Sequence, residues 1–198
     1  LKPLAELERR GVQVTYLSPT SDGLINPKEV RRVLKPNTKL VSIIYAQNET
    51  GTVQDLKEIR KAIGREILFH TDACQAPGLL SIKPKELGVD LMTFNGHKIY
   101  GPAATGFLFV RRGVSLESLF YGGRQERGLR SGSENVEGAA ALAEALHLAE
   151  KNRQKESLRL LRLRDYFIDK ILKDVPGTTL NGDERRRIAN NANISFQG

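Results

Sequence analysis

Short apolar runs separated by helix-like segments fill the first two-thirds of the chain. Near-continuous runs of this kind are typical of β-strands that are covered on both faces. The runs that predict strands are Val12–Leu17, Leu40–Tyr45, Ile67–Phe69, Val89–Phe94 and Thr105–Val110.

Helical patterns lie between these runs. Asn26 followed by Pro27 is typical of a helix start, because Asn caps well and Pro suits the first turn. Leu56, Ile59 and Ile63 recur on one helix face. Strand and helix in alternation, with short connections, predict an α/β fold with a mostly parallel sheet flanked by helices. The last strand follows its neighbour after only a loop, so we expect it to run antiparallel.

The last third of the chain has a different pattern. A Gly-rich charged loop, 122–133, precedes an Ala-rich helix, 136–149, and a charged helix, 153–172. Ile194 and Phe196 predict one further strand. The pattern divides the chain into 1–134, part of a large α/β domain; 135–175, a long helical connection; and 176–198, the start of a smaller α+β C-terminal domain.

Both ends of the chain suggest an excerpt of a longer protein. Leu4 and Leu7 already lie in a helical pattern without a preceding Met, and the strand pattern at the other end has nothing after it. No apolar run approaches the length of about 20 residues that spans a bilayer. Cys74 is the single cysteine, which excludes an internal disulfide and suits a reducing compartment. We therefore expect a cytoplasmic protein that does not bind a membrane.

The net charge of +8 raises the possibility of a nucleic-acid partner. Acidic residues interrupt the basic stripe, however, and no aromatic platform accompanies it. Mixed-sign charge on a helix indicates a solvated face, so direct nucleic-acid binding is not expected. The stripe comprises Lys151, Arg153, Lys155, Arg159, Arg162, Arg164, Lys170, Lys173 and Arg185–Arg187.

Polar side chains follow three of the predicted strands. In a parallel α/β sheet, ligands gather at the carboxyl ends of the strands. Asn48 follows the second strand, Asp72 the third and Lys98 the fourth. Taken alone, Asn48 could be a turn residue, Asp72 a helix N-cap and Lys98 a surface lysine. Together, an amide, a carboxylate and a lysine at successive strand ends indicate a ligand site.

Lys98 lies in the segment Asn95-Gly96-His97-Lys98, which ends at Gly101-Pro102. Glycines allow a sharp turn and a close approach of the backbone to a ligand. A lysine amine becomes nucleophilic when desolvation or a neighbouring cation lowers its pKa. Pyridoxal 5'-phosphate needs such a lysine, a carboxylate for its ring nitrogen, and donors for its phosphate and ring oxygen. The set therefore predicts a pyridoxal 5'-phosphate site.

These motifs resemble those of the cysteine desulfurases of the NifS/IscS group, within the class V aminotransferase branch of fold-type I enzymes. The resemblance runs essentially from end to end, and the Gly-rich loop motif is specific to this group. The segments that carry it are Asn48–Gly51, Asp72–Gln75, Gly96–Pro102, Gly122–Ser133 and Asn181–Asp183.

The resemblance implies a role for each matching residue. Lys98 would hold the cofactor as a Schiff base, Asp72 would pair with the ring nitrogen, and Gln75 would bond the ring hydroxyl oxygen. Asn48 would lie beside the ring near the substrate. His97 would donate to the phosphate, and so would Asn95, where the family usually has Ser. Ser133 stands where the family usually has Thr, which would reach the phosphate of the partner subunit in a homodimer.

Other departures from the family pattern affect substrate details. Gln47 replaces a usual Asn, Arg124 a usual Gly, and Ala103-Ala104 a usual Lys-Gly pair. The resemblance implies that the persulfide-forming cysteine and the arginine for the substrate carboxylate lie after residue 198. Cys74 lies inside the cofactor motif and is expected to be a small buried apolar residue rather than that nucleophile.

The family's reaction converts L-cysteine to L-alanine and passes sulfur to scaffold or acceptor proteins for iron–sulfur clusters or thiolated tRNA. An isolated chain without the sulfur-accepting thiol is expected to be inactive. One alternative is another class V enzyme, such as an aminotransferase or a selenocysteine lyase. A second, remote alternative is a basic nucleic-acid-binding module without catalysis.

Overall fold

A computed structural model describes residues 2–197 and contains a four-stranded sheet. Its strands lie side by side in chain order: β1 Leu40–Ile44, β2 Leu68–Asp72, β3 Leu91–Asn95 and β4 Gly106–Val110. The first three are parallel and the fourth is antiparallel to β3. The predicted fold class and the antiparallel last strand are therefore confirmed.

The register brings the carboxyl ends of the parallel strands to one edge of the sheet. Ile44 at the end of β1 lies opposite Asp72 at the end of β2. Asp72 in turn lies opposite Thr93, so that Asn95 at the end of β3 projects two residues further. The turns that follow the three strands consequently start from nearly the same level.

Four short helices are built from the capping and apolar patterns of the sequence. Asn26 caps the second helix through its side-chain oxygen, which accepts a hydrogen bond from the Lys28 backbone at 2.9 Å. Asp55 caps the third helix in the same way through the Glu58 backbone, at 3.1 Å. The helices are α1 Lys2–Arg9, α2 Pro27–Val33, α3 Leu56–Ile63 and α4 Pro84–Leu87.

The core lies on one face of the sheet. Alternate residues of the strands point to the same face, and on this face they meet the apolar sides of α2, α3 and α4. Phe94 and Phe107 stack across β3 and β4 with ring centroids 4.4 Å apart. The residues that form the buried cluster include Val30, Val41, Ile43, Leu56, Ile59, Ile63, Phe69, Leu87, Met92 and Phe94.

The charged region after the Gly-rich loop forms one long helix, α5, Val136–Asp174. The expectation of two separate helices was wrong, because Glu150–Asn152 contain no helix breaker. Glu150 and Arg153 form an ion pair at 3.2 Å across the expected break. No helix within residues 2–197 is long and apolar enough to cross a membrane.

A two-stranded antiparallel sheet follows α5. It consists of β5 Thr178–Leu180 and β6 Ile194–Phe196, which confirms the strand predicted at Ile194 and Phe196. This sheet is separate from the four-stranded one. The assignment of 176–198 to a second domain stays a prediction.

The segment Val12–Leu17 is not a strand, contrary to the prediction. An extended segment is stable in a sheet only when a neighbouring strand pairs with its backbone. Within residues 2–197 no strand pairs with this segment. Val12 and Tyr16 are about half exposed, and the Tyr16 hydroxyl donates to Glu8 at 3.0 Å.

A buried carboxylate joins β2, β3 and α3. Asp90 is 6% exposed and accepts hydrogen bonds from the Phe69 backbone at 2.8 Å and from Arg60 and Arg111 at 2.5 Å each. Burial by itself raises the pKa of Asp90, but the bonds from Phe69, Arg111 and Arg60 outweigh it and lower the pKa below the ordinary 3.8. The charged form of Asp90 therefore stabilises the fold.

Replacing this carboxylate should destabilise the protein in a pH-dependent way. Since the pKa of Asp90 is lowered in the folded state, its contribution is present above about pH 4 and is lost as the pH falls further. Asp90→Asn should cost about 3 kcal/mol at pH 7, because two arginines lose their charged partner. Urea unfolding at pH 7 and pH 3 should show a smaller difference between variant and wild type at pH 3. An equal difference at both pH values would contradict this account.

Candidate active site

Three turns gather at the carboxyl edge of the sheet. The first, 47–53, follows β1; the second, 73–76, follows β2; and the third, 96–105, follows β3. They carry the predicted site residues Asn48, Gln75, His97 and Lys98, while Asp72 and Asn95 are the last residues of their strands.

Lys98 lies in a single 3₁₀ turn, His97–Ile99, directly after β3. Asn95 fixes the start of this turn, because its side-chain oxygen accepts a hydrogen bond from the His97 backbone at 3.0 Å. Ile99 is buried and anchors the turn, whereas His97 and Lys98 are exposed. The turn thus presents an imidazole and an amine at the edge of the sheet.

Gly96 is required for space rather than for an unusual backbone conformation. Its φ of −72° and ψ of −39° suit any residue. A Cβ atom at this position, however, would lie 2.2 Å from the Thr105 hydroxyl oxygen and 2.9 Å from a Leu142 methyl carbon. The left-handed residue that reverses the chain is Tyr100, with a φ of 62°. The sequence therefore identified Gly96 as a glycine position. The structural reason is the lack of space beside Thr105 and Leu142, whereas the sequence pattern predicted a sharp turn and a close approach to a ligand.

Asp72 closes the turn after β2. Its side-chain oxygen accepts a hydrogen bond from the Cys74 backbone at 2.9 Å. No helix follows Asp72 directly, so the alternative role of helix N-cap is excluded. Gln75 lies half-buried in the same turn.

The sequence predicts a buried Cys74, whereas the structure shows this side chain half-buried. Burial, followed by the hydrogen bond and negative charge of Asp72, raises the pKa of the Cys74 thiol to about 12. The positive charge of Lys98 opposes this shift. A thiol with so high a pKa is a poor nucleophile at neutral pH.

His70 links the three parallel strands beneath the site. It precedes Asp72 by two residues and points to the same face of β2. Its ring nitrogens lie 2.8 Å from the Ser42 hydroxyl on β1 and 2.8 Å from the Thr93 hydroxyl on β3. Burial lowers the pKa of His70, and the charge of Asp72 opposes this only in part. The neutral ring therefore connects β1 and β3 to β2 through side-chain hydrogen bonds.

Asn48 is exposed in the turn after β1, where its amide donates to Glu49 at 2.7 Å. Gln47 braces this turn, since its side-chain oxygen accepts from the backbones of Glu49 and Thr50 at 2.5 and 2.6 Å. The turn also contacts the C-terminal segment, because the side chains of Asn191 and Asn193 donate to the Glu49 carbonyl at 2.8 and 3.1 Å.

Two arginines of the basic stripe are not solvated, contrary to the prediction. Arg164 and Arg187 are 8% and 6% exposed. Arg164 donates to the carbonyls of Arg187 and Ile188 at 3.0 and 3.1 Å. Composition and charge pattern gave no signal for these contacts, because the partners are backbone carbonyls distant in sequence.

Ser133 is not brought to the strand-end residues. It lies exposed on the Gly-rich loop between β4 and α5. The hydrogen bonds of the loop side chains within residues 2–197 join residues of 118–134 to one another. The apolar side chains of Leu119, Phe120 and Tyr121 beside this loop are 86%, 58% and 86% exposed.

An α/β sheet that presents a lysine, a carboxylate and amides at the ends of successive parallel strands supplies the groups that pyridoxal 5'-phosphate needs. The sequence profile of the family described as aminotransferase class V matches residues 1–198. The chain therefore belongs to the class V aminotransferase family, whose members use pyridoxal 5'-phosphate.

Curated relatives and a solved structure show which members of this family the chain is similar to. The chain is 43% identical over 198 residues to a cysteine desulfurase IscS of Methanosarcina thermophila, and 41% identical over 197 residues to one of Dictyoglomus turgidum. These matches cover 100% and 99% of the chain but 49% and 50% of the relatives. A solved NifS-like protein superposes with a TM-score of 0.93 at 30% identity, over 98% of this chain and 54% of that protein.

The chain thus spans about half the length of the curated relatives it matches. The donor set at the sheet edge fits pyridoxal 5'-phosphate: Lys98 offers an exposed amine, Asp72 a carboxylate, and Gln75 an amide. His97 and Asn95 add an imidazole and a second amide for an anionic group. Residue by residue, these roles remain proposals.

The Cys74 thiol should react slowly with alkylating reagents. At pH 8, the pKa of about 12 leaves far less thiolate than an ordinary thiol would have, so iodoacetamide should modify Cys74 at least about tenfold more slowly than free cysteine. Asp72→Asn removes a charge that raises the pKa and should speed the reaction. Mass spectrometry of the cofactor-free protein over time measures both rates. Alkylation as fast as that of free cysteine would contradict the assignment.

Filling the space beside Gly96 should disturb the lysine turn. Gly96→Ala places a methyl group against Thr105 and Leu142, and this overpacking should cost about 1–3 kcal/mol. Thermal unfolding would measure the loss, with the exposed Ala103→Ser as a control in the same turn. An unchanged melting temperature for Gly96→Ala would show that the turn can shift freely.

Proposed function

We propose that this chain provides the part of the active site that contains the cofactor-binding lysine, Lys98, in a pyridoxal 5'-phosphate-dependent cysteine desulfurase. This enzyme converts L-cysteine to L-alanine and transfers the sulfur as a persulfide. The observation that carries the proposal is the meeting of Lys98, Asp72 and Asn48 at one edge of three paired strands. The identity to curated cysteine desulfurases across the whole chain supports it.

Lys98 and Asp72 carry the central chemistry in this proposal. When bound, the cofactor supplies an aldehyde carbon that combines with amines and a ring that withdraws electrons from the substrate. The Lys98 amine holds the cofactor and, once substrate replaces it, moves a proton at the substrate Cα. The Asp72 carboxylate keeps a proton on the ring nitrogen. The exposure of Lys98 and its position in an anchored turn suit an amine that must be both held and released.

The remaining site residues orient the bound molecules. The Gln75 amide donates to the ring hydroxyl oxygen, and Asn48 lies beside the ring near the substrate. His97 and Asn95 donate to the phosphate. The neutral His70 links β2 to β1 and β3 two residues before Asp72, and so holds this carboxylate in a fixed position relative to the neighbouring strands.

Cys74 is not the thiol that receives sulfur in this proposal. Its pKa of about 12 and its hydrogen-bonded place beside Asp72 both oppose nucleophilic attack. The sulfur-accepting cysteine and the arginine for the substrate carboxylate are proposed to belong to another part of the enzyme. Sulfur acceptor or scaffold proteins are the proposed partners, in the cytoplasm.

The complete enzyme is proposed to be a homodimer with Ser133 facing the partner's cofactor phosphate. The exposed Leu119, Phe120 and Tyr121 support this, because large apolar side chains clustered at a surface mark an interface. In the complete enzyme, 1–134 would form part of the cofactor domain, 135–175 the helical connection and 176–198 the start of the small domain.

Reductive trapping tests the cofactor assignment directly. The protein is incubated with pyridoxal 5'-phosphate, reduced with borohydride and digested, and the labelled peptide is mapped by mass spectrometry. Label should be confined to Lys98 and absent in Lys98→Ala, because Lys98 is the lysine of the turn that follows β3 at the carboxyl edge of the sheet. Label spread over surface lysines, or unchanged in Lys98→Ala, would contradict the proposal.

Turnover tests the reaction. The full-length protein should release alanine from L-cysteine in the presence of a thiol reductant, and Lys98→Ala should lower the rate by at least about a thousandfold. Asp72→Asn should lower it by about two orders of magnitude or more, since the ring nitrogen loses the carboxylate that keeps it protonated. Alanine formation that persists in Lys98→Ala would exclude the assigned role.

A further inference from the structure

We propose that Arg187 is a positioning residue for the substrate, since it fixes the turn that carries Asn48; this inference rests on the proposed function. The turn comprises residues 47–53 and is called the Asn48 turn below. Arg187 lies 139 positions after Asn48 in the sequence and contacts the turn from the C-terminal segment.

The Arg187 guanidinium is surrounded by oxygen acceptors that carry no net charge. It donates to the Thr50 carbonyl at 2.5 Å, the Asn191 side-chain oxygen at 2.8 Å and the Asp183 carbonyl at 3.2 Å. It also donates to the Asn181 carbonyl. An arginine has five N–H donors in a rigid fork, and the single ammonium group of lysine cannot satisfy acceptors spread in this way.

Burying this cation is unfavourable unless its contacts repay the loss of water. Burial lowers the pKa of Arg187, and the neighbouring Arg164 lowers it further. The side chain is nonetheless 6% exposed and forms no ion pair within the described residues. Two buried cations so close together must therefore be stabilised by their hydrogen bonds. One bond of Arg187 reaches the Thr50 carbonyl in the Asn48 turn, and the others reach Asn181, Asp183 and Asn191 in the C-terminal segment.

Backbone contacts make the attachment rigid. The Val53 backbone donates to the Arg186 carbonyl at 2.7 Å, and the Ile188 backbone donates to the Gly51 carbonyl at 2.9 Å. These bonds place Thr52 opposite Arg187 in an antiparallel bridge. The Asn48 turn is thereby paired with the C-terminal segment as a short strand would be.

Two glycines allow this close approach. Gly51 has a φ of 74°, and a Cβ atom there would lie 2.6 Å from the Asn191 side-chain oxygen. Gly182 has a φ of 81°, and its Cβ would lie 2.6 Å from the Thr52 hydroxyl oxygen. Both backbones therefore approach to a distance that any side chain would block.

The contacts bear on Asn48 and not on Lys98. Asn191 and Arg187 donate to the carbonyls of Glu49 and Thr50, the two residues directly after Asn48. The Lys98 turn is instead anchored by Asn95 and Ile99. Loss of the Arg187 contacts should consequently weaken the binding of the substrate while the attachment of the cofactor to Lys98 is unchanged.

The test uses the full-length enzyme loaded with cofactor. In Arg187→Met the KM for L-cysteine should rise about tenfold, the effect of losing one well-placed hydrogen bond, while kcat changes by less than about twofold. Arg186→Met makes the same substitution at the exposed neighbour and should leave both constants unchanged. Borohydride labelling of Lys98 should be equal in all three proteins.

A second variant keeps the test decisive if Arg187→Met does not fold. Asn191→Ala removes one acceptor of Arg187 and one donor to Glu49, and should raise KM about threefold. Hydrogen exchange should also speed up at the Gly51 and Val53 amides and not at Ala73. A lower melting temperature with unchanged KM would reduce Arg187 to a structural role and overturn the inference. Absence of Lys98 labelling in the wild type would instead overturn the proposed function.

Discussion

Hydrogen bonding between three parallel strands fixes their register, and the register sets where their carboxyl ends lie relative to one another. The site residues lie at or directly after these ends. Because β1, β2 and β3 are paired residue by residue, the turns after them start within two residues of one another along the strand direction. His70 strengthens this pairing on the face that leads to Asp72, through hydroxyl groups on both neighbouring strands. A slip of one residue in either pair would turn Asp72 to the opposite face.

The two faces of the sheet have separate tasks. One carries the apolar cluster that packs on α2, α3 and α4, with the buried Asp90 joining strand and helix at its lower end. The other carries Ser42, His70, Asp72 and Thr93, whose polar groups bond to one another or to the turns above. Stability and chemistry are therefore supplied by alternate residues of the same strands.

Charge has two distinct roles in this chain. Exposed ion pairs along α5, such as Glu156 with Arg159 at 2.5 Å, contribute little to stability because water screens them. The buried Arg187 instead joins distant segments of the chain, since its donors bond to Thr50, Asp183 and Asn191. The same residue type thus serves either as a solvated surface group or as an internal connection, according to its burial.

The sequence by itself determined β1 to β4 and β6, the cap at Asn26, and the order in which Asn48, Asp72 and Lys98 follow the strands. These features depend on local periodicity and on backbone preferences of single residues. The order of residues also sufficed to indicate a pyridoxal 5'-phosphate site, because parallel pairing brings strand ends together wherever it occurs.

Only the tertiary structure decided which segments find partners. Val12–Leu17 has a strand-like composition but no strand to pair with, whereas Arg187 resembles the charged residues around it and is buried. The need for Gly96 likewise arises from Thr105 and Leu142, which the chain brings beside it. Long-range contacts of this kind depend on how elements pack, and neither composition nor spacing records that.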